Sequence, residues 1–337
     1  MLSVLLYGRK NCHLCEVAEK ELKTLKEKFP HQLTVIDVDN HPDLQEKFGL
    51  DVPVVIVGPY TLKAPFNKKT LEMTLGAATD RKRQLDDIGD KTYLKRKERA
   101  NKISGADRFS IWFSNHYMLV FNLFVLLYVG LPFLAPVLLK TGIEKPAEVI
   151  YQLYGGLCHQ LSYRSWFLFG EQPYYPREEA GLSHIHSFEE ATGLDEDGVV
   201  EARNYLGSDE IGYKVALCQR DVAIYGSILL FGIIFVLTKR KIKPFPFWLW
   251  ILIGIIPVGF DGGTQIVSQI LAEPTFEFLQ SYFSFFPLRE STPFLRTLTG
   301  SLFGFTTAWF GYPLVEEAMR DTRSLLASKL ARLEKQS

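Results

Sequence analysis

Cysteine is scarce in this chain. There are four among 337 residues, at positions 12, 15, 158 and 218. So few thiols exclude the disulfide-dense scaffold of a small secreted protein. An excess of either charge is missing too: Lys plus Arg and Asp plus Glu each number 38, for a formal net charge of zero. Bulk charge therefore directs the chain neither to nucleic acid nor to an acidic partner. A secretory leader is also lacking in this reading, because Met1-Leu2-Ser3 runs straight into a strand pattern. What is plentiful is unevenly placed. The 25 Phe, 15 Tyr and 5 Trp concentrate after residue 108, whereas Lys and Arg cluster before it. A chain of this length and unevenness predicts at least two domains.

Two of the four cysteines form Cys12-His13-Leu14-Cys15, placed where a short apolar strand, Val4-Leu5-Leu6-Tyr7, hands over to a helix predicted over 16–29 through Val17, Leu22 and Leu25. Cys12 then stands at the helix N-terminus. There the helix dipole and neighbouring Lys10 favour the thiolate that attacks disulfides, and Cys15, one turn further in, is the resolving thiol. The competing reading is half of a zinc knuckle, which needs a second ligand pair that does not follow in this part of the chain. A second strand is predicted over 33–37, a short helix over 42–48, and a third strand over 52–57 opened by Pro53. A cis Val52-Pro53 bond would hold backbone beside the reactive pair; otherwise Pro53 starts an edge strand.

Residues 1–88 resemble the glutaredoxin-like branch of the thioredoxin fold. The resemblance rests on Tyr7-Gly8-Arg9-Lys10-Asn11-Cys12-His13-Leu14-Cys15-Glu16 and Asp51-Val52-Pro53. It implies an α/β thioredoxin-like domain in which Cys12 attacks, Cys15 resolves and cis-Pro53 lies against them, with no cofactor of its own. Many glutaredoxins carry Thr where Asp51 stands, and their later Gly-Gly-x-Asp segment is absent here, so the resemblance does not extend to the glutathione side.

Beyond this domain, 89–114 reads as a charged connector and 115–318 as an all-α polytopic membrane domain. Four stretches, 118–139, 222–238, 245–260 and 297–315, carry no charged residue and approach the length a spanning helix needs. A fifth, 147–170, contains His159 and Arg164 and reads as an interfacial or re-entrant helix more readily than as a fifth span. Basic segments at 81–83, 95–99, 239–243 and 320–332 fall on one side of four spans, and the 140–220 segment, with Glu189-Glu190 and Asp195-Glu196-Asp197, falls on the other. The positive-inside rule then predicts a multi-pass protein of the cell (inner) membrane with both termini cytoplasmic and the 140–220 and 261–295 loops outside. The tail, 319–337, is amphipathic through Leu325, Leu326, Leu330 and Leu333, and is expected on the cytoplasmic membrane surface.

This topology gathers Cys158-His159-Gln160, Tyr163-Arg164-Ser165, Cys218-Gln219-Arg220-Asp221 and Asp261-Gly262-Gly263-Thr264-Gln265 in one outer layer. Polar groups at a span boundary are costly unless paired or hydrated, so their convergence marks a candidate site. Three readings stay open. Cys158, His159 and Cys218, with Asp261 or a loop histidine as fourth ligand, could hold zinc. Cys158 and Cys218 could instead form a structural disulfide. Plain polar packing, with Arg220 paired to Asp261 and Arg164, Ser165 and Gln265 in support, is the third. His184 and His186 read as solvated loop histidines.

Residues 108–315 further resemble an uncharacterised family of prokaryotic polytopic membrane proteins. The match runs through Cys158-His159-Gln160, Arg164-Ser165, Cys218-x-Arg220, Ile224-Tyr225, Asp261-Gly262-x-Thr264-Gln265 and Arg296-x-x-Thr299-Gly300, and is interrupted by an acidic insertion over 171–210. The resemblance implies a membrane domain without an assigned reaction. The leading functional expectation is a membrane-anchored thiol–disulfide oxidoreductase acting on protein or low-molecular-weight thiols and disulfides. The alternatives are a zinc-dependent membrane hydrolase or transferase with a fused redox domain, and a transporter or scaffold. No span carries a cysteine to relay electrons across roughly 30 Å of hydrocarbon, and no quinone or haem signature is visible.

Overall fold

The structure, a computed structural model, describes residues 1–89, 92, 99, 102–194, 198–272 and 288–334. Ten residues of the expected connector, 90, 91, 93–98, 100 and 101, and the Asp195-Glu196-Asp197 cluster lie outside the described residues. The chain divides into two compact units, Met1–Tyr117 with Glu317–Ser337, and Met118–Glu316.

The first unit is built on a four-stranded sheet. Its strands β1 (Leu2–Gly8), β2 (His31–Asp37), β3 (Val54–Val57) and β4 (Tyr60–Lys63) lie in the order β2-β1-β3-β4, with β1 parallel to β2 and the other pairs antiparallel. Alternation along β1 sends Val4 and Leu6 to one face and Tyr7 to the other. Helices α1 (His13–Leu25) and α3 (Lys68–Ile88) cover the first face through Ala18, Leu22, Leu25, Leu71, Leu75 and Ala78. Burial on α1 recurs at Cys15, Ala18, Leu22 and Leu25, a helical stripe that leaves Val17 40% exposed rather than in the expected core face.

The second face is covered by α2 (Pro42–Phe48) and, against expectation, by the tail. Ala327 and Ala331 pack with Tyr7, Ile36, Leu44, Phe48 and Val54, and the Tyr7 hydroxyl donates to Ser328 Oγ at 2.8 Å. Lys47 pairs with Asp321 at 2.8 Å, Glu46 with Arg320 at 2.9 Å and Asp43 with Arg323 at 3.0 Å. The alanines present a small surface that lets a helix lie close to the sheet. The side of the tail that meets protein is its alanine side, whereas Leu325, on the leucine side expected to face the membrane surface, is 68% exposed.

The second unit is mostly helical. Three helices among the described residues are long and apolar enough to cross a membrane: α4 (Gly105–Lys140), which begins in the first unit, α8 (Gln219–Leu237) and α9 (Phe247–Leu271). The expected fourth span, 297–315, lies inside the 42-residue helix α10 (Pro293–Glu334), which is not among the three. It is richer in Gly, Ser and Thr, and those residues serve packing. A Cβ at Gly300 would sit 2.7 Å from the Arg220 carbonyl oxygen, and one at Gly304 2.1 Å from that of Ile224. Two glycines four apart thus bring α10 and α8 backbone to backbone.

Between α4 and α8 the chain makes α5 (Glu144–Gly155), β5 (Ser165–Leu168), α6 (Phe188–Thr192), α7 (Val199–Asn204), β6 (Gly207–Ser208) and β7 (Gly212–Cys218). The three strands form an antiparallel sheet in the order β5-β7-β6. The fifth-span reading of 147–170 is therefore excluded: a 12-residue helix rises only about 18 Å, and a strand follows it. Its buried side, Ala147, Ile150, Tyr151 and Tyr154, packs on Ala216 and Leu217 of β7.

Candidate functional site

In the first unit the turn after β1 delivers Cys12 as the N-cap of α1. Its backbone is extended and its Sγ accepts the Cys15 N–H at 3.2 Å. Glu16 in the first turn and Lys23 in the last complement the helix dipole. Asn11, at φ 59°, turns the chain into the motif. Cys12 and Cys15 are joined as a disulfide, with Cys15 the more deeply buried partner. Gly8 makes room for it: a Cβ there would lie 3.2 Å from Cys15 Cβ and 3.3 Å from its Sγ. The Val52–Pro53 peptide is cis, and so is Ala64–Pro65, which the sequence reading did not foresee.

These pieces frame a small groove of about 90 Å³, lined by Leu14, Val17 and Ala18 of the helix and by Pro53, Pro65 and Phe66 opposite. Leu14 is 59% exposed, so the rim beside the cysteines is apolar. The two sulfurs are placed unequally. One sulfur is at a helix N-terminus and accessible; the other is inside.

The second unit sorts the remaining candidates into two clusters rather than one. Cys158, in the turn after α5, and Cys218, the last residue of β7, come together as free thiols. Their sulfurs and a carboxylate oxygen of Asp221, one turn into α8, all lie within 4.8 Å of one another. The shared hydrogen bond between the thiols lowers the pKa of Cys158 and raises that of Cys218. Gln160, at φ 52°, folds back so that its amide donates to the carbonyls of Tyr151 at 3.0 Å and Ala216 at 2.9 Å. Lys214, fully buried on β7, donates to the Gln160 carbonyl at 2.9 Å, and burial brings its pKa down to about 7. His159 is exposed and is not among the groups brought together.

Asp261 belongs to the other cluster. The helix that the sequence reading ended at 260 continues through it, so this carboxylate lies within the third apolar helix. It accepts from Arg220 at 2.6 Å, from Arg289 at 2.7 Å and from Ser291, whose hydroxyl is 2.8 Å from both oxygens. With its lone pairs taken, Asp261 is a structural acceptor and not the expected metal ligand. Arg220 is seated between glycines: a Cβ at Gly262 would lie 2.9 Å from its guanidinium.

Next to it Glu290, also buried, takes a two-pronged bond from Arg164 at 2.8 and 2.9 Å, one from Gln265 at 2.7 Å and another from Arg296. Ser165 contributes its carbonyl to Gln219 at 3.0 Å, while its own hydroxyl donates to Leu161. The supporting residues Arg164, Arg220 and Gln265 thus serve two carboxylates. Glu290, Arg289, Ser291 and Lys214 were not among the expected site residues, and Asp221 was placed in the polar cluster without being named as a ligand. The available signal for the first three was a charged Arg289-Glu290-Ser291 triplet beside an apolar helix. His186 stays in the loop, 3.4 Å from Glu190 and largely exposed.

Comparison with known proteins follows the same division. Residues 3–76 match the family described as a glutaredoxin-like domain (DUF836), and residues 211–310 match the family described as a predicted membrane protein (DUF2085). The chain therefore joins an N-terminal glutaredoxin-like domain to a membrane domain. The first match includes Cys12, Cys15 and Pro53; the second includes Cys218, Arg220, Asp261, Glu290 and Arg296. An uncharacterised protein of Methanocaldococcus jannaschii is 25% identical over 209 residues, covering 60% of this chain and 94% of its own length. No solved structure matches.

Proposed function

We propose that this protein is a membrane-held thiol–disulfide oxidoreductase whose working groups are Cys12 and Cys15. One observation carries the reading: a partly exposed cysteine caps a helix N-terminus, bonded to a buried partner cysteine, and a groove lined by Pro53 runs along the same helix. A dithiol of low molecular weight or on a protein first reduces the Cys12–Cys15 disulfide, giving up two electrons and two protons and becoming a disulfide itself. The Cys12 thiolate, favoured by the helix N-terminus, then attacks one sulfur of a substrate disulfide. That bond breaks, a thiolate leaves, and a mixed disulfide with Cys12 remains. Cys15, deprotonated, attacks Cys12 Sγ, reforms the intramolecular disulfide and releases the second substrate thiolate. The apolar rim at Leu14 and Val17 suits a protein or peptide disulfide.

The basic Lys239-Arg240-Lys241-Ile242-Lys243 link between α8 and α9 supports a cytoplasmic position for that end of the membrane unit in a cell membrane. The test uses the full chain in lipid nanodiscs, reduced and then offered a small-molecule disulfide. Cys12→Ser abolishes turnover, and Cys15→Ser accumulates the mixed disulfide, seen as a mass addition on Cys12. Full turnover by Cys12→Ser would end the assignment.

A further inference from the structure

We infer that Cys158, Cys218 and Asp221 form a zinc site with one coordination position left open. Two thiolates and a carboxylate are ligands zinc accepts, and tetrahedral bonds of about 2.3 Å to sulfur and 2.1 Å to oxygen place ligand atoms about 3.4–3.8 Å apart. The three ligand atoms already lie within 4.8 Å of one another without an ion, so closing on one requires shifts of the order of an ångström. They come from three separate places: a turn after α5, the end of β7 and the first turn of α8. Cys158 is buried among Ala135, Ile150, Tyr154 and Leu217, which fixes the turn that presents its sulfur.

The charge also closes. Two thiolates and one carboxylate carry three negative charges, and zinc leaves one. Lys214, anchored on the Gln160 carbonyl two residues from Cys158, is the nearby amine whose protonated form would offset it. Neither His159, which is exposed, nor Asp261, whose oxygens are taken by Arg220, Arg289 and Ser291, completes the set. Three protein ligands and a vacant fourth position are the pattern of zinc that binds a water or a substrate group, rather than of a closed structural knuckle. The ligand that position takes is one with a lone pair on oxygen or sulfur. The inference is independent of the chemistry at Cys12 and Cys15.

The experiment uses the full chain carrying Cys12→Ser and Cys15→Ser, so that the N-terminal pair contributes no thiolate. The protein is purified under reducing conditions and dialysed against zinc, and metal is measured by mass spectrometry. The expected stoichiometry is about one zinc per chain. Cobalt in its place gives a sulfur-to-cobalt charge-transfer band, and binding releases protons from the thiols. Further substitution of Cys218 by Ser removes the metal and the band. Asp221→Asn keeps the band and weakens affinity at least tenfold, roughly the loss seen when even an outer partner of a metal ligand is removed. His159→Ala leaves stoichiometry and affinity unchanged. Should Cys218→Ser fail to fold, Asp221→Asn and His159→Ala together still decide the matter. A reduced protein that takes up no zinc, a cobalt form without thiolate charge transfer, or loss of metal on His159→Ala each overturns the site.

Discussion

Replacing Asp261 by Ala tests the reading of that residue as a structural acceptor. The side chain is 4% exposed and accepts from two guanidiniums and a hydroxyl, at 2.6–2.8 Å. Breaking one partner out of a buried ion pair typically costs about 3–5 kcal/mol, because the charge left behind stays desolvated. Solvent softens the loss here: the Arg220 and Arg289 side chains are 24% and 32% exposed, and Arg289 keeps its bonds to the Asp261 carbonyl and to Thr264. The lower end, about 3 kcal/mol, is therefore expected. For a unit of this size that corresponds to a melting point lowered by about 6–12 °C. Asp261→Asn, which keeps one acceptor oxygen and the volume, should fall between the two. The assay is thermal unfolding of the full chain in detergent, followed by aromatic fluorescence, with zinc content measured in parallel. A melting point within about 2 °C of wild type, or zinc lost while the melting point holds, would refute the assignment.

Gly300→Ala forces a methyl against the Arg220 carbonyl at 2.7 Å and should cost about 1–3 kcal/mol in the same unfolding assay. Gly226→Ala on the facing helix meets nothing within 4 Å and should be neutral or stabilising by up to about 1 kcal/mol. Ala331→Glu puts a carboxylate into the cluster around Tyr7 and Phe48 and should release the tail, seen as faster trypsin cleavage after Lys329. Leu325→Glu, at a position 68% exposed, should leave the digestion rate unchanged. Cys158→Ser should leave reduction of a model disulfide at the wild-type rate, because the attacking and resolving thiols both belong to the other unit; a loss of more than about tenfold in steady-state turnover would show the pairs to be coupled.

What could be read before folding was the part whose signals are local. A strand, a capping cysteine, a helix and an X-Pro step follow one another within 53 residues, and each announces itself by neighbours along the chain. The apolar spans are likewise local, being set by composition over about 20 residues. The second site was legible as a set of residue types and misread as a geometry. Of the three readings left open, the Arg220–Asp261 pair is the one the structure forms, and Arg289 and Ser291, which the sequence did not link to Asp261, complete it; Asp221, one helical turn from Cys218, was not named as a ligand. His159 adjoins Cys158 in sequence, but the turn that buries one exposes the other. The tail was legible in part: its leucine stripe is visible in the sequence, but the side that packs on the sheet is the small-residue side with Ala327 and Ala331, which hydrophobic periodicity does not single out.

Each of the two sulfur centres now has a local cause for its placement. Cys12 and Cys15 sit at the start of α1 in the glutaredoxin-like unit, with Cys12 at the helix N-terminus and Cys15 on its buried stripe. Cys158 and Cys218 sit beneath the β5-β7-β6 sheet, packed against α5 and beside a buried lysine, where an approaching disulfide would have to displace core side chains. Cys218 also stands at the head of a 19-residue apolar helix without cysteine, so its nearest covalent route to the basic Lys239–Lys243 link runs about 28 Å. Thiol exchange needs sulfur on sulfur in line at bonding distance, and no relay of thiols exists along that helix.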